Sequence, residues 1–211
     1  MLKLLTDNPL SFVIVLASLL LAITIHEFAH AYAADKLGDP TPRLQGRLTL
    51  NPLAHLDPIG TILLIFVGFG WGRPVQFDPF NLENPRRDAA IISFAGPLSN
   101  IALAITLSLV LHLTGGASSP LITIFTPFLL LNVVLAVFNL IPIHPLDGGK
   151  VLVGLLPRED AVKVDAFLNR YGLFLLLFLI FPFFGASPVS QLIGPVVRFF
   201  MNLLVPGGSL I

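Results

Sequence analysis

Residues 10–34 form an apolar stretch whose only acidic or basic members are His26, Glu27 and His30, and this combination restricts the chain more than any other feature. As a helix rising ~1.5 Å per residue, about 25 residues span roughly 37 Å, enough to cross the hydrocarbon core of a bilayer. An ionisable side chain inside such a span costs ~2.5–3.5 kcal/mol on insertion scales, so three within five positions need a shared reason. A cleavable leader also has an apolar core followed by small residues, here Ala29, Ala31 and Ala33. It has no use for two imidazoles and a carboxylate, so the stretch reads as a permanent span.

The remaining chain agrees with membrane burial. Hydrophobic residues make up 55% and charged residues 11%, against roughly 25% charged in an ordinary soluble domain. The formal net charge is +0 with no basic run, so nothing is present to neutralise a phosphate backbone and nucleic acid is excluded as a partner. With no cysteine, disulfides and thiolate ligands are ruled out, leaving His, Asp and Glu as the strong metal ligands.

Two further full spans are expected over 89–113 and 121–141, joined by the uncharged link 115–120. Residues 59–69 are apolar but too short to cross comfortably and suit a re-entrant segment; a short strand is expected near 47–50. The polar segment 150–170 precedes two last apolar blocks, 171–184 and 188–205, read as a hairpin of two spans. Lys36, Arg43, Arg47, Arg73, Arg86, Arg87, Lys150, Arg158, Lys163 and Arg170 all fall in 35–58, 70–88 and 142–171, whereas 114–120 and 185–188 carry none. The positive-inside rule then puts the first group in the cytoplasm. The chain reads as a single integral-membrane domain over 1–211, all-α and polytopic, in the cell membrane.

His26 and His30, four residues apart, project from one helical face and can share an ion. Glu27, one residue after the first His, is placed to act on metal-bound water as a base rather than as a ligand. A tetrahedral zinc with a position kept for water then lacks one protein ligand. Asp147 is the candidate, at the cytoplasmic end of the third span, where Pro145 interrupts the helix and Gly148 and Gly149 let the backbone come close. The competing reading makes Asp147 an N-cap for a short helix over 150–156. Geometry decides: if 59–69 does not cross, Asp147 arrives at the depth of the histidines; if it crosses, Asp147 lies on the opposite face.

At these residues the sequence resembles the site-2 protease family of intramembrane zinc metalloproteases, in its compact branch without PDZ or CBS domains. His26 to His30 match the family's HExxH; Gly96 and Asn100 match its Gly-xxx-Asn; Asn139, Pro142, Asp147 and Gly148 match its Asn-xx-Pro-xxxx-Asp-Gly. The resemblance implies a three-span catalytic core, a re-entrant β loop over 68–75 that holds substrate by strand addition, and Zn2+ held by His26, His30 and Asp147. Its implied activity is hydrolysis of peptide bonds within or beside transmembrane segments of membrane-protein substrates, with Glu27 as base and the site toward the cytoplasm. Asn100 and Asn139 would hydrogen-bond substrate or the developing oxyanion, the alternative for each being interhelical glue. His144 stands where the family more often has proline and is read as facing the aqueous interface. His55 is read as part of a polar turn, and His112 as structural. The alternative function is a membrane metal-binding or metal-transport protein using the same His/Asp cluster.

Overall fold

A computed structural model describes residues 2–66, 70–182 and 185–207. Its helices, in chain order, are α1 (Leu2–Asp7), α2 (Pro9–Lys36), α3 (Thr41–Leu44), α4 (Pro58–Phe66), α5 (Pro85–Leu113), α6 (Ile122–Asn139), α7 (Asp147–Leu155), α8 (Arg158–Ile180) and α9 (Pro188–Leu204). Three of them, α2, α5 and α6, are long and apolar enough to cross a membrane, and they are the three spans expected from the sequence. The Asn8 side chain accepts from Ser11 N–H to start α2, with Pro9 at the first helical position. Asp88 reaches back to the Asn84 N–H (2.8 Å) at the start of α5, an acidic group where the helix dipole favours one.

In lipid there is no hydrophobic drive between spans, so close approach and buried polar contacts must hold them. The helices meet through small residues accordingly: Ala22, Ala31 and Ala34 of α2, Ala104 of α5 and Ala136 of α6 are buried. Their outward faces, among them Leu10, Val13, Ile105 and Leu109, stay exposed to what would be lipid. A second cluster, where α5, α6 and α9 converge, is filled by Leu111, Leu129, Val133, Val197, Met201 and Leu204.

Three sequence expectations are modified. The C-terminal hairpin is present, but α8 begins at Arg158 rather than at 171: Glu159 and Asp160 suit the first turn of a helix, so the polar segment continues into the apolar one. The two hairpin helices do not join the three apolar enough to cross. No strand forms at 47–50 or at the described residues of the 68–75 loop; a single antiparallel bridge, Leu56 to Gly72, stands there. Positions 68 and 69 lie outside the described residues. The physical reason is that the Arg47 guanidinium takes the Arg73 and Pro74 carbonyls, while Pro52 and Pro74 have no N–H for a ladder.

The short α4 has only 9 residues and turns back rather than crossing. Its Gly60 lies so close to the returning chain that an added Cβ would sit 2.2 Å from the Trp71 carbonyl oxygen. With α4 kept to one side, α5 and α6 run out and back, and the chain leaving α6 returns to the level of His26.

Candidate metal centre

His26 and His30 share one face of α2, with ring centroids 4.6 Å apart and planes at 87°. They can lie this deep in a packed bundle because the facing α5 carries glycine at position 96. A Cβ there would fall 2.4 Å from His30 Nε2 and 2.8 Å from His26 Cε1, so any other residue would displace the rings.

Each ring is held from behind. His30 Nδ1 lies 2.7 Å from the Ile92 carbonyl oxygen, which can only accept, so Nδ1 carries the proton and donates. His26 Nδ1 lies 2.6 Å from Asn100 Oδ1. The amide's orientation is fixed by its other end: Asn100 Nδ2 donates to the Ala22 carbonyl (3.0 Å) and to Asn132 Oδ1 (2.8 Å), so the oxygen must face His26. Asn132 in turn donates to the Phe128 carbonyl. In its neutral form each imidazole then keeps its proton on Nδ1 and turns the Nε2 lone pair forward, the arrangement in which a second shell prepares histidines for a metal.

Asp147 completes the cluster. Its Oδ2 is 3.0 Å from His26 Nε2 and 3.3 Å from His30 Nε2. With the imidazoles neutral, three lone-pair atoms converge on one point, the donor set a cation takes. The separations suit one: ligands about 2.0–2.2 Å from a tetrahedral zinc are roughly 3.3–3.6 Å from each other. The His26, His30 and Asp147 ligand atoms all fall within 4.8 Å of one another. The donor set of two neutral imidazoles and a carboxylate therefore fits a divalent zinc-type ion.

The route that brings Asp147 here is local. Asp147 is the first residue of α7, whose N-cap position is Leu146 with no side-chain cap bond, so the reading of Asp147 as a cap is not realised and the helix starts earlier than 150. Gly148 permits the fold-back, since a Cβ would lie 2.4 Å from the carbonyl oxygens of Leu140 and Ile141.

Glu27 is beside the cluster but outside it. Its Oε2 accepts the Val75 N–H at 2.8 Å, so the loop after α4 reaches across to the carboxylate. Lys150, one helical turn after Asp147, stands 4.7 Å from the Phe77 ring centroid, and burial pulls its ammonium below the usual lysine range.

Other expected residues fall elsewhere. Asn100 is fully buried with both amide protons used inside the protein, which leaves its side chain no donor for a substrate. Asn139 donates to the Leu135 carbonyl of its own helix (3.0 Å) and makes no hydrogen bond with the cluster. His144 does not face the aqueous interface freely: its Nε2 lies 3.0 Å from Asp165 Oδ1 on α8. His55 is buried with Nε2 against the Thr49 carbonyl, and His112 turns back onto Ser108 of its own helix. The sequence reading missed Asn132, Ile92 and Val75. Asn132 alone left a signal, as an amide inside an uncharged apolar span.

Comparison with known proteins points one way. Residues 110–179 match peptidase family M50. The chain is similar to YwhC of Bacillus subtilis (strain 168), a zinc metalloprotease by name, with 42% identity over 171 residues covering 76% of this chain and 78% of that protein. It is also similar to Rip2 of Mycolicibacterium smegmatis, again a zinc metalloprotease by name, at 34% over 190 residues, covering 83% of this chain and 71% of that one. Its fold is similar to the solved site-2 protease from Methanocaldococcus jannaschii, with a TM-score of 0.53 and 22% identity over 99% of this chain and 85% of that chain.

Proposed function

This chain belongs to peptidase family M50, and from that premise we propose that it is a zinc metalloendopeptidase of the membrane. Its proposed reaction is hydrolysis of peptide bonds within or beside transmembrane segments of membrane-protein substrates, with the site toward the cytoplasmic side of the cell membrane. The observation that carries the reading is the convergence of His26 Nε2, His30 Nε2 and Asp147 Oδ2 beside the Glu27 carboxylate.

His26, His30 and Asp147 are the proposed ligands. Zinc bound there would supply Lewis acidity, drawing the pKa of water toward about 7 and polarising a peptide carbonyl. Glu27 takes the proton from the attacking water and returns it to the leaving amine; with Oε2 engaged by Val75, Oε1 is the atom that carries it. Asn100 holds His26 in its tautomer, and the Ile92 carbonyl does the same for His30.

The test is elemental analysis of the purified chain together with cleavage of a panel of transmembrane peptides. One zinc per chain is expected, lost when His26 and His30 are both replaced by Ala, and Glu27→Gln should abolish cleavage while keeping the metal. Metal flux into proteoliposomes without proteolysis would support the transport alternative and overturn this one.

A further inference from the structure

Arg47 is buried, 4% exposed, and no carboxylate pairs with it among the described residues. A guanidinium in that position must spend its donors on something else, because an unpaired buried charge is costly. It spends them on backbone: on the Ala54 carbonyl, and on the Arg73 and Pro74 carbonyls at 2.9 Å each. Its planar fork thereby ties the chain before α4 to the chain after it, across 26 and 27 positions of sequence.

The tied segment is the one that reaches Glu27. Arg73 N–H donates to the His55 carbonyl (2.8 Å), the Arg73 and Pro74 carbonyls accept from Arg47, and Val75 N–H donates to Glu27 Oε2 (2.8 Å). Pro74 has no N–H. Close packing stiffens the approach: a Cβ at Gly70 would fall 2.1 Å from the Gly60 carbonyl oxygen, and one at Gly72 would fall 3.0 Å from Ile23 Cγ2, one turn before His26 on α2. These polar groups are committed within the protein, so at residues 73–75 this strap serves Glu27 before it can serve a substrate strand.

We propose that Arg47 is a positioning residue for the reaction: it fixes the strap 70–75 so that the Val75 N–H orients the Glu27 carboxylate. The effect on turnover rests on the protease reading given above; the effect on the strap does not. A misplaced base costs rate without changing how substrate is held, since orientation alone accounts for about 10- to 100-fold of rate when a catalytic group shifts by ~1 Å.

The experiment uses the full chain in lipid nanodiscs with a transmembrane peptide that the wild type cleaves, and amide hydrogen exchange over 70–77 as a readout independent of activity. Arg47→Gln is expected to lower kcat about 10- to 100-fold with KM within about twofold and zinc content unchanged, and to speed exchange at Arg73 and Val75. Arg47→Lys, whose ammonium cannot reproduce the fork, should rescue only part of the loss. Val75→Pro removes the donated N–H and should lose more rate than Val75→Ala, which keeps it. Arg43→Gln is the control, because Arg43 is a largely exposed arginine that pairs with Asp35 and makes none of the strap's hydrogen bonds. A raised KM with normal kcat in Arg47→Gln, or unchanged exchange at 73 and 75, would overturn the proposal. If Arg47→Gln does not fold, Arg47→Lys read by the same kcat, KM and exchange measurements decides: a kcat and exchange rate both equal to wild type overturn the proposal. A wild type that cleaves no membrane peptide would sink the protease reading, while the exchange data would still judge Arg47.

Discussion

The region around His26 and the region where α9 packs are built on the same two spans, α5 and α6, yet they hold those spans by different means. Around His26 the contacts are polar and directional: Asn100 alone joins α2, α5 and α6, bonding His26, the Ala22 carbonyl and Asn132. Where α9 packs, the contacts are mostly Leu, Val and Met side chains, with one polar tie among the described residues, Ser108 to the Leu204 carbonyl at 2.6 Å. Apolar packing tolerates small shifts, because its energy is spread over many weak contacts. A hydrogen bond fails within a few tenths of an ångström or a few tens of degrees. The difference teaches that the bundle is specified tightly at the proposed metal ligands and loosely away from them, so equal perturbations in the two regions should have unequal effects on activity.

The sharpest way to break this comparison is Gly96→Ala. Its methyl would meet His30 Nε2 at 2.4 Å, and His30 cannot turn aside without losing the Ile92 carbonyl. Loss of both zinc and measurable cleavage is expected, read by elemental analysis and peptide turnover. Full occupancy would mean that the rings have more freedom than their hydrogen bonds imply. Asn100→Ala is expected to be the next largest: it frees His26 Nδ1 and strands Asn132, and removal of such a supporting group costs about 10- to 100-fold in metal affinity. Competition with a chelator of known affinity measures it.

Leu129→Ala probes the other region. Leu129 is fully buried among α5, α6 and α9, and truncating a buried Leu costs ~2–5 kcal/mol of stability through lost contacts and the cavity left behind. A lower melting temperature in detergent is expected, with zinc affinity of the folded protein within about twofold of wild type. A loss of zinc affinity comparable to that of Asn100→Ala would show that the two regions are coupled after all.

In the tightly specified region the sequence showed the three residues that converge, His26, His30 and Asp147, but not what supports them. His26 and His30 declare themselves because two imidazoles in an apolar span are costly to bury unless they bind an ion, and Asp147 follows once α4 is denied a crossing. Gly96 was visible only as a motif position; that its missing Cβ makes room for His30 depends on α2 and α5 being face to face. The Val75 contact with Glu27 was invisible, since a backbone N–H has no residue signature. A strand was expected near 47–50 from turn residues on either side, and the chain instead uses Arg47 to satisfy carbonyls that a strand would have paired. The start of the hairpin helix α8 at Arg158 was hidden because the acidic residues that suit its first turn, Glu159 and Asp160, look in sequence like a polar linker.

The smallest expected effect lies outside both regions, in the loops on the side of α2 where the ligands sit. Asp39 is fully buried there and gathers four donors: the Thr41 N–H and hydroxyl, the Asp78 N–H and the Asn81 amide. It thus ties the start of α3 to the 78–81 turn that leads into α5. Burial pushes its carboxyl up, and the hydrogen bonds from Thr41, Asn81 and Asp78 outweigh burial, so the folded carboxyl titrates below its unfolded value. A group depressed in this way contributes stability that is complete above the unfolded pKa of about 3.9 and is lost as pH falls through the lower folded value. Asp39→Asn removes the charge but keeps one acceptor, so a drop in melting temperature of only about 2–4 °C is expected at pH 7. The gap between wild type and Asp39→Asn should hold steady from pH 7 down to about 5 and shrink below about 4, because the wild type then loses the same charge. Cleavage at neutral pH should be unaffected at temperatures well below the transition, since Asp39 touches neither the ligands nor the strap that reaches Glu27. A gap that stayed constant to pH 3, or widened on acidification, would show that the four donors do not hold an ionised carboxylate and that the link between α3 and the 78–81 turn is packing alone.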